Sequence, residues 1–568
     1  MGVISFSEAN CKNCYACVRA CPVQSIKIKN EQAIIMEERC IACGLCLKAC
    51  PKNVKKIETE LEKVKQFIKS GQSVVVSLAP TAFGVFKDQG HKLVAALKKL
   101  GVSHVEETVV GAEVVTQVYE TYQHFHLDKC YITSCCASVN LLIEKHYPKV
   151  IPHLIPVITP LMAHARMLKL KYGQDVKVVF VGPCLAKKIE GEEEESISAV
   201  LTIQELKQWF NEAGIKLNEL EEVPLDDGVV SQRTYPMVGG MSKCFNEKDK
   251  KIEIVSVDGI RDCIEVIEGI ERGEFKNIFF EMSACHHSCL GGPAIGEECE
   301  NIFNRKMRIK DYARQTQPLH EMSEGGRLPL INLNRVFKNQ YSPIIQPSEK
   351  EIELILNNIG KYSSMDELNC GSCGYPTCRQ KAIAVYNHMA EPTMCLPYMK
   401  HKAETYSHVI FDVTPSIILV VDKSLTIIDF NPAAERFFEV KKDQAIDLPV
   451  SIFLDEASFS SVIESKSDLL GHRLSLNENK TIVIQSIIWI EQQEVMLCIL
   501  HDMTSEMAHE LKMQHLKINA IDMAQQVINK QMIVAQEIAS LLGETTAETK
   551  VTLTRLKRLI QEDEGGLS

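Results

Sequence analysis

The chain has 568 residues, of which 45% are hydrophobic and 24% are charged, a composition typical of several soluble globular domains. Its formal net charge of −11 and the lack of long lysine or arginine runs argue against a nucleic-acid partner. No signal peptide is recognised, and the most apolar runs are too short to span a bilayer, so we expect a cytoplasmic protein with no membrane partner. The 22 cysteines occur mostly in tight groups, which favours metal or iron–sulfur ligation over disulfides.

Two cysteine runs of the same spacing, C-x2-C-x2-C-x3-C-P, lie near the start of the sequence. The first consists of Cys11, Cys14, Cys17 and Cys21, and the second consists of Cys40, Cys43, Cys46 and Cys50. The doubled run resembles the bacterial two-cluster ferredoxins, in which the fourth cysteine of each run ligates the other cluster. The resemblance implies one 4Fe–4S cluster on Cys11, Cys14, Cys17 and Cys50, and a second on Cys40, Cys43, Cys46 and Cys21. Zinc is the weaker alternative, because zinc sites do not repeat this run with its trailing proline.

The region from about residue 60 to residue 340 alternates short apolar runs with amphipathic stretches, which predicts an α/β domain. The runs are "SVVVSLAP", "KCYITS", "VKVVFVGP" and "KNIFFEMSA", and the last three are followed by loops that contain cysteine. Loops at the carboxyl ends of parallel strands converge on one crevice. We therefore expect five cysteines to come together there, namely Cys135, Cys136, Cys184, Cys285 and Cys289.

These three loops, "TSCC", "PCLAKK" and "EMSACHHSCLGG", resemble the three H-cluster signatures of the FeFe hydrogenases. In that family a cubane 4Fe–4S cluster is joined through a cysteine to a two-iron subcluster carrying CO, cyanide and an azadithiolate bridge. The resemblance implies that the cubane ligands are Cys136, Cys184, Cys285 and Cys289, with Cys289 as the bridging thiolate. The two histidines between the last two cysteines, His286 and His287, are interpreted as loop residues and not as ligands.

The resemblance also implies roles for individual side chains. Cys135 matches the thiol that exchanges protons with the two-iron unit, Lys187 matches the lysine that hydrogen-bonds a cyanide ligand, and Glu190 matches a neighbouring glutamate. Ser283 stands where the family has a methionine, and its hydroxyl can hydrogen-bond a ligand or a water molecule.

Two further departures from the family bear on turnover. Gly182 also stands where a methionine is usual, and we expect it to leave more space beside the two-iron unit. Val118 and Tyr119 stand roughly where the family has proton-carrying glutamates. Because a positioned proton-transfer group contributes about 10²–10⁴-fold to a rate, we expect slow turnover.

A third cysteine group follows, with the spacing C-x2-C-x4-C and a fourth cysteine after sixteen residues. Its members are Cys370, Cys373, Cys378 and Cys395. The pattern resembles a small 4Fe–4S domain of anaerobic redox proteins, which implies one accessory cluster. A four-cysteine zinc site is a stronger alternative here than at the N-terminal pair.

The remaining sequence resembles a PAS domain followed by a helix. "TPSIILVVDKSLTIIDFNPAAERFFEV" predicts two strands and a helix opening at Asn431–Pro432, since proline suits the first helical position. The sequence shows no secure haem or flavin ligand residue, so the identity of any PAS ligand is left undetermined.

After Ser505 an apolar stripe at steps of three and four predicts a long helix that ends near Gly543. The stripe consists of Ile521, Ala524, Ile528, Met532, Ala535, Ala539 and Leu542. The alternatives are packing on a partner, on a second copy or back on the PAS domain.

These segments predict a multidomain protein of α/β and α+β classes with five parts. They are a two-cluster ferredoxin-like domain at 1–58, an H-cluster domain at 59–342, an accessory 4Fe–4S domain at 343–402, a PAS domain at 403–505 and a helical tail at 506–568. This order resembles the sensory type of FeFe hydrogenase. The resemblance implies slow reversible hydrogen oxidation, an electron-transfer partner, maturation proteins that build the H-cluster, and a partner Ser/Thr phosphatase or kinase. The alternatives are a fast metabolic hydrogenase and an iron–sulfur protein that lacks the two-iron unit.

Overall fold

The computed structural model describes residues 3–6, 11–52, 55–125, 129–227, 232–245, 252–296, 301–314, 331–476, 481–542 and 551–557. The chain divides into two compact units, 1–399 and 400–568. Among the described residues, no helix combines the length and apolar character needed to cross a membrane. The predicted helix end at Gly543 lies outside the described residues.

The first unit contains eleven strands within its described residues, and they form several small sheets. In chain order they are Ile4–Phe6, Ile26–Lys29, Gln32–Ile35, Lys55–Ile57, Val74–Leu78, His104–Glu107, Tyr131–Ile132, Lys177–Gly182, Ala199–Thr202, Glu253–Asp258 and Ile278–Ser283. The first four pair as two antiparallel ribbons, which belong to the N-terminal cysteine region. All four strands predicted from the apolar runs of the central region are confirmed.

Two parallel sheets position the candidate site. The four-stranded sheet has the order His104–Glu107, Val74–Leu78, Lys177–Gly182, Ala199–Thr202. The three-stranded sheet has the order Glu253–Asp258, Ile278–Ser283, Tyr131–Ile132. Every residue of Val74–Leu78 is buried, as expected for a parallel strand covered by helices on both faces.

The α-helices of the described residues belong to both compact units. They are Ala16–Ala20, Leu45–Lys48, Leu61–Lys69, Thr81–Val85, Leu93–Lys99, Val109–Phe125, Ala137–His146, Pro160–Tyr172, Ala186–Glu193, Ile203–Glu212, Ile260–Glu271, Ile302–Arg314, Glu349–Asn357, Cys378–Tyr386, Leu396–Val413, Pro432–Phe438, Lys442–Ala445, Glu456–Ser465 and Thr504–Leu542. Local sequence explains several starts. Thr202 Oγ1 accepts from the Glu205 amide while Glu205 Oε2 accepts from the Thr202 amide, a capping box.

The second unit contains a five-stranded antiparallel sheet with helices packed on it. The strand order is Ile427–Phe430, Ile417–Asp422, Val495–Asp502, Thr481–Ile490, Leu469–Leu476. The helix predicted at Asn431–Pro432 is confirmed, because Asn431 Oδ1 accepts from the Ala434 amide at 2.9 Å and Pro432 is the first helical residue. The predicted long helix after the PAS region is also confirmed, as Thr504–Leu542.

Candidate functional site

The three predicted cysteine loops meet at one cavity with a volume of about 130 Å³. Each loop follows the carboxyl end of a parallel strand, namely Tyr131–Ile132, Lys177–Gly182 or Ile278–Ser283. The cavity lining includes four predicted cysteines, Cys135, Cys136, Cys184 and Cys289, together with Lys187 and Ser283. The topology therefore brings together residues that are up to about 150 positions apart in the sequence.

The four thiols predicted as cubane ligands lie within electrostatic range of one another. Burial raises the pKa of Cys184 to about 11 and the pKa of Cys289 to about 12, and the neighbouring Cys136 adds to both shifts. Burial also raises the pKa of Cys285 well above its ordinary value, with further contributions from the other three. Crowded, buried thiols of this kind become stable thiolates when a metal cluster binds them, so this donor set fits an iron–sulfur cluster.

Cys135 differs from these four cysteines because its thiol is hydrogen-bonded to the hydroxyl group of a tyrosine, Tyr119. The Tyr119 hydroxyl lies 3.2 Å from Cys135 Sγ and 2.9 Å from Ser134 Oγ. Burial raises the pKa of Cys135 to about 12, even though contacts with Tyr119 and Lys187 oppose the shift. The thiol is therefore protonated at neutral pH, and Tyr119, which the sequence suggested only as a lost carboxylate, contacts it directly.

Lys187 and Glu190 form a buried ion pair beside the cavity. Lys187 Nζ lies 2.5 Å from Glu190 Oε2 and 3.5 Å from the Cys135 carbonyl oxygen. Glu190 also accepts from Thr159 Oγ1 at 2.9 Å and from Arg335 Nη1 at 3.0 Å. Burial alone would raise the pKa of Glu190, but the charges of Lys187 and Arg335 hold it below its ordinary value. The glutamate thus fixes the ammonium group in place.

The expectation that Gly182 leaves more space is wrong. A Cβ atom built at Gly182 would lie 2.4 Å from Phe180 Cζ and 3.2 Å from the Ala79 side chain. The Phe180 ring, which lines the cavity, already covers the glycine. The two residues are two positions apart on one strand and therefore share a face, a signal that was present in the sequence.

Ser283 and His286 lie on different sides of the third loop. Ser283 ends its strand and lines the cavity. The His286 side chain is 75% exposed, and its Nδ1 lies 3.4 Å from Asp258 Oδ2. Asp258 also accepts a hydrogen bond from the His287 amide, so both histidines stabilise the loop through Asp258. Ser283, in contrast, lines the cavity and faces the site.

Glu281 is a cavity-lining carboxylate that sequence reasoning treated only as a motif position. Its oxygens accept from the Met241 amide at 3.2 Å, the Ser242 amide at 3.1 Å and Ser256 Oγ at 3.2 Å. Burial raises its pKa. Its position at the start of "EMSACHHSCLGG", on the strand that leads to two cysteines, is the signal that could have identified it.

The N-terminal cysteine runs are wrapped by the same backbone conformation. Asn13 and Tyr15 have positive φ, and so do Ala42 and Gly44 at the equivalent positions of the second run. Gly44 has no room for a Cβ atom, which would lie 2.4 Å from Pro293 Cβ. Lys48 Nζ donates to the Gly291 carbonyl at 2.7 Å. The second run therefore packs directly on the third cysteine loop of the central site.

The accessory cysteine group packs on the first N-terminal run. Arg19 donates to the Ser372 carbonyl at 3.1 Å and to the Cys14 carbonyl at 3.0 Å. Gly374, with φ of 96°, contacts Val18 so closely that a Cβ atom would lie 2.8 Å from Val18 Cγ1. The accessory cysteines share a small pocket, and its lining includes Cys370, Cys373, Cys378 and Cys395. The accessory group, the N-terminal pair and the central site therefore form a continuous series.

Comparison with known families assigns four segments of the chain. Residues 10–54 match the 4Fe-4S dicluster domain, and residues 72–293 match the iron only hydrogenase large subunit, C-terminal domain. Residues 365–397 match an iron–sulfur cluster family (FeS), and residues 405–472 match the PAS domain. Iron–sulfur ligation therefore replaces zinc as the interpretation of the cysteine groups.

Individual relatives fall into two kinds. The chain is 29% identical over 360 residues to the periplasmic Fe hydrogenase large subunit of Nitratidesulfovibrio vulgaris, and this alignment covers 51% of the chain and 85% of the relative. The chain is 21% identical over 321 residues to the cytosolic Fe-S cluster assembly factor narfl of Xenopus tropicalis, and this alignment covers 43% of the chain and 67% of the relative. A solved FeFe-hydrogenase HydA1 variant from Chlamydomonas reinhardtii aligns with a TM-score of 0.41 at 17% identity, covering 50% of this chain and all of that chain.

Proposed function

We propose that this FeFe hydrogenase-like multidomain protein senses hydrogen or redox state through slow, reversible oxidation of hydrogen at an H-cluster. The observation that carries the proposal is one cavity whose lining includes Cys135, Lys187 and three of the predicted cubane ligands, with the fourth, Cys285, within electrostatic range of those three. The family match over residues 72–293 and the PAS match over residues 405–472 support it.

The cysteines of this site have two different roles, cofactor binding and proton exchange. Cys136, Cys184, Cys285 and Cys289 would hold the H-cluster. When bound, that group would supply the chemistry H2 = 2 H⁺ + 2 e⁻. Cys135 exchanges a proton at Sγ, and the Tyr119 hydroxyl at 3.2 Å orients that thiol.

Lys187 supplies a fixed positive charge at the cavity. Its side chain is only 11% exposed and its ammonium group pairs with Glu190 at 2.5 Å, so little water screens the charge. An ammonium group that is fixed in position and mostly shielded from water stabilises the binding of an anionic ligand such as cyanide through a charge-assisted hydrogen bond.

The remaining cysteine groups support electron transfer and the second unit supports output. Two clusters on the N-terminal runs and one on Cys370, Cys373, Cys378 and Cys395 would connect the site to an electron-transfer partner. Maturation proteins in the cytoplasm would build the H-cluster. The PAS domain and the helix Thr504–Leu542 would pass the signal to a Ser/Thr phosphatase or kinase partner, or to a second copy of the chain.

Output through the second unit predicts that hydrogen changes the dynamics of that unit. We expect hydrogen to change the backbone amide exchange of residues 403–542 in the matured full-length protein, measured by hydrogen–deuterium exchange mass spectrometry under hydrogen and under argon. A matched control is the same protein without H-cluster maturation, which should show no difference between the gases. Identical exchange in matured protein under both gases would favour a metabolic hydrogenase.

Replacement of Ser283 by methionine should shift the infrared bands of the bound H-cluster more than replacement of His286 by alanine does. The reason is that Ser283 lines the cavity, whereas the His286 side chain is 75% exposed. Infrared spectra of the two matured variants test this directly. Equal shifts, or a larger shift from His286→Ala, would mean that Ser283 does not face the cofactor.

A second candidate function is that of an iron–sulfur protein with a hydrogenase-like fold and no two-iron unit. The similarity to the cytosolic Fe-S cluster assembly factor narfl, at 21% identity, favours it. CO and cyanide bands in the infrared spectrum of matured protein would exclude this candidate. Their absence from protein that contains all of its 4Fe–4S clusters would support it.

A further inference from the structure

A chain of hydrogen-bonding side chains leads away from the cavity on the side of the four-stranded sheet. Thr108 lines the cavity, and its Oγ1 lies 2.8 Å from Ser77 Oγ. Ser77 Oγ lies 2.9 Å from His164 Nδ1. On the other side of the ring, His164 Nε2 lies 3.3 Å from Glu106 Oε2. Each gap is within hydrogen-bond reach, although the last is long.

The outer end of this chain reaches solvent. Glu106 Oε1 accepts from Lys171 Nζ at 2.7 Å and from the Tyr172 hydroxyl at 2.6 Å. The Lys171 side chain is 44% exposed and also pairs with Asp227 at 2.7 Å. Ser77 and His164 themselves have no exposed surface. The series therefore joins a cavity to the protein surface through fully buried groups.

Each member of the series can carry a proton. Hydroxyl groups donate and accept, and an imidazole can receive a proton on one nitrogen while it releases a proton from the other. Burial alone would raise the pKa of Glu106, but contacts with His164, Lys171 and Tyr172 lower it to about 2. The ionised carboxylate is an acceptor for the Nε2 side of His164, at the middle of the series.

Among the described residues, the hydrogen bonds that Tyr119 makes beside Cys135 form no comparable route. Tyr119 contacts Ser134, and Ser134 Oγ donates to the Val157 carbonyl at 2.7 Å. A backbone carbonyl has no exchangeable proton, so this route ends inside the protein. The series through His164 instead ends at an exposed ammonium group.

We propose that Thr108, Ser77, His164 and Glu106 conduct protons between the cavity and Lys171 at the surface. The inference rests on the proposed function, since each hydrogen molecule oxidised releases two protons that must leave while two electrons pass to the iron–sulfur clusters. In every step an O–H or N–H bond breaks as one forms on the next member, and Lys171 releases a proton to solvent water before it takes the next one, so no member is consumed.

His164→Gln and Thr108→Val test the proposal in the matured full-length protein. We expect the infrared bands of the cluster to keep their parent positions but to relax about 100-fold more slowly after a pH jump. Hydrogen turnover should slow by a similar factor. His153→Gln is the matched control, because His153 is half-buried and contacts the Cys130 carbonyl at 3.0 Å, away from the series. The control should relax at the parent rate.

The outcomes separate the inference from the function on which it rests. Parent relaxation rates in both variants, with bands at parent positions, would overturn the proton route and leave the sensor proposal standing. A parent protein without CO and cyanide bands would overturn both. Thermal unfolding checks the fold of each variant, and if His164→Gln fails to fold, Thr108→Val, which replaces a hydroxyl group by a methyl group of similar size, decides the question.

Discussion

Replacement of Glu190 by alanine should lower the free energy of unfolding by about 3–5 kcal/mol, the cost of removing one partner from a buried ion pair. Glu190 is 2% exposed and accepts hydrogen bonds from Lys187, Thr159 and Arg335. Its loss leaves two buried cations without their shared anion. Chemical denaturation of the unmatured full-length protein at pH 7 measures the change.

Glu193→Ala is the matched control, three residues later on the same helix. The Glu193 carboxylate is 47% exposed and lies 3.6 Å from Arg335 Nη2, so its removal should cost less than about 1 kcal/mol. Equal effects of the two substitutions would show that Glu190 is not the structural anchor of Lys187.

The Glu190 effect also has a defined pH dependence. A carboxyl group whose pKa is lowered by folding stabilises the protein at pH values above its ordinary value of 4.5. That contribution is lost as the pH falls through the lower pKa of the folded state. The stability difference between the parent and Glu190→Ala should therefore be largest at neutral pH and should shrink in acid.

Replacement of Cys135 by serine should slow hydrogen turnover of matured protein by about 10²–10⁴-fold, the usual contribution of a positioned proton-transfer group. The thiol lines the cavity and contacts the Tyr119 hydroxyl at 3.2 Å. A serine hydroxyl keeps the shape but is a much weaker acid. Hydrogen oxidation with an artificial electron acceptor measures the rate, and iron content confirms that the clusters are bound.

Cys130→Ser is the control for this substitution. Cys130 lies five residues earlier in the sequence and is buried. Its carbonyl oxygen lies 3.0 Å from His153 Nδ1, and the residue does not line the cavity. The control should turn over at the parent rate. A Cys135→Ser protein with parent turnover would mean that protons reach the cluster without this thiol.

Much of the architecture follows from local sequence patterns. The cysteine spacings indicated the iron–sulfur domains, and the family matches confirm the resemblance to FeFe hydrogenases. The apolar runs predicted the strands, and the carboxyl ends of parallel strands from two sheets place three cysteine loops at one cavity. The Asn431–Pro432 helix start was equally local.

The side chains around the cofactor were harder to predict, because they depend on contacts between distant segments. Arg335 contacts Glu190 across 145 positions, and no spacing rule links the two residues. His164 contacts Ser77 across 87 positions, so the proposed proton route is visible only in three dimensions. Phe180 over Gly182 is different, since the two-residue strand period could have revealed it.

The most direct test of the central proposal is the infrared spectrum of matured full-length protein, recorded under argon and then under hydrogen. We expect CO and cyanide bands that change intensity or position when hydrogen is added. If protein that contains its iron–sulfur clusters shows no such bands, it does not bind an H-cluster. If the bands are present but do not change under hydrogen, this site does not sense hydrogen.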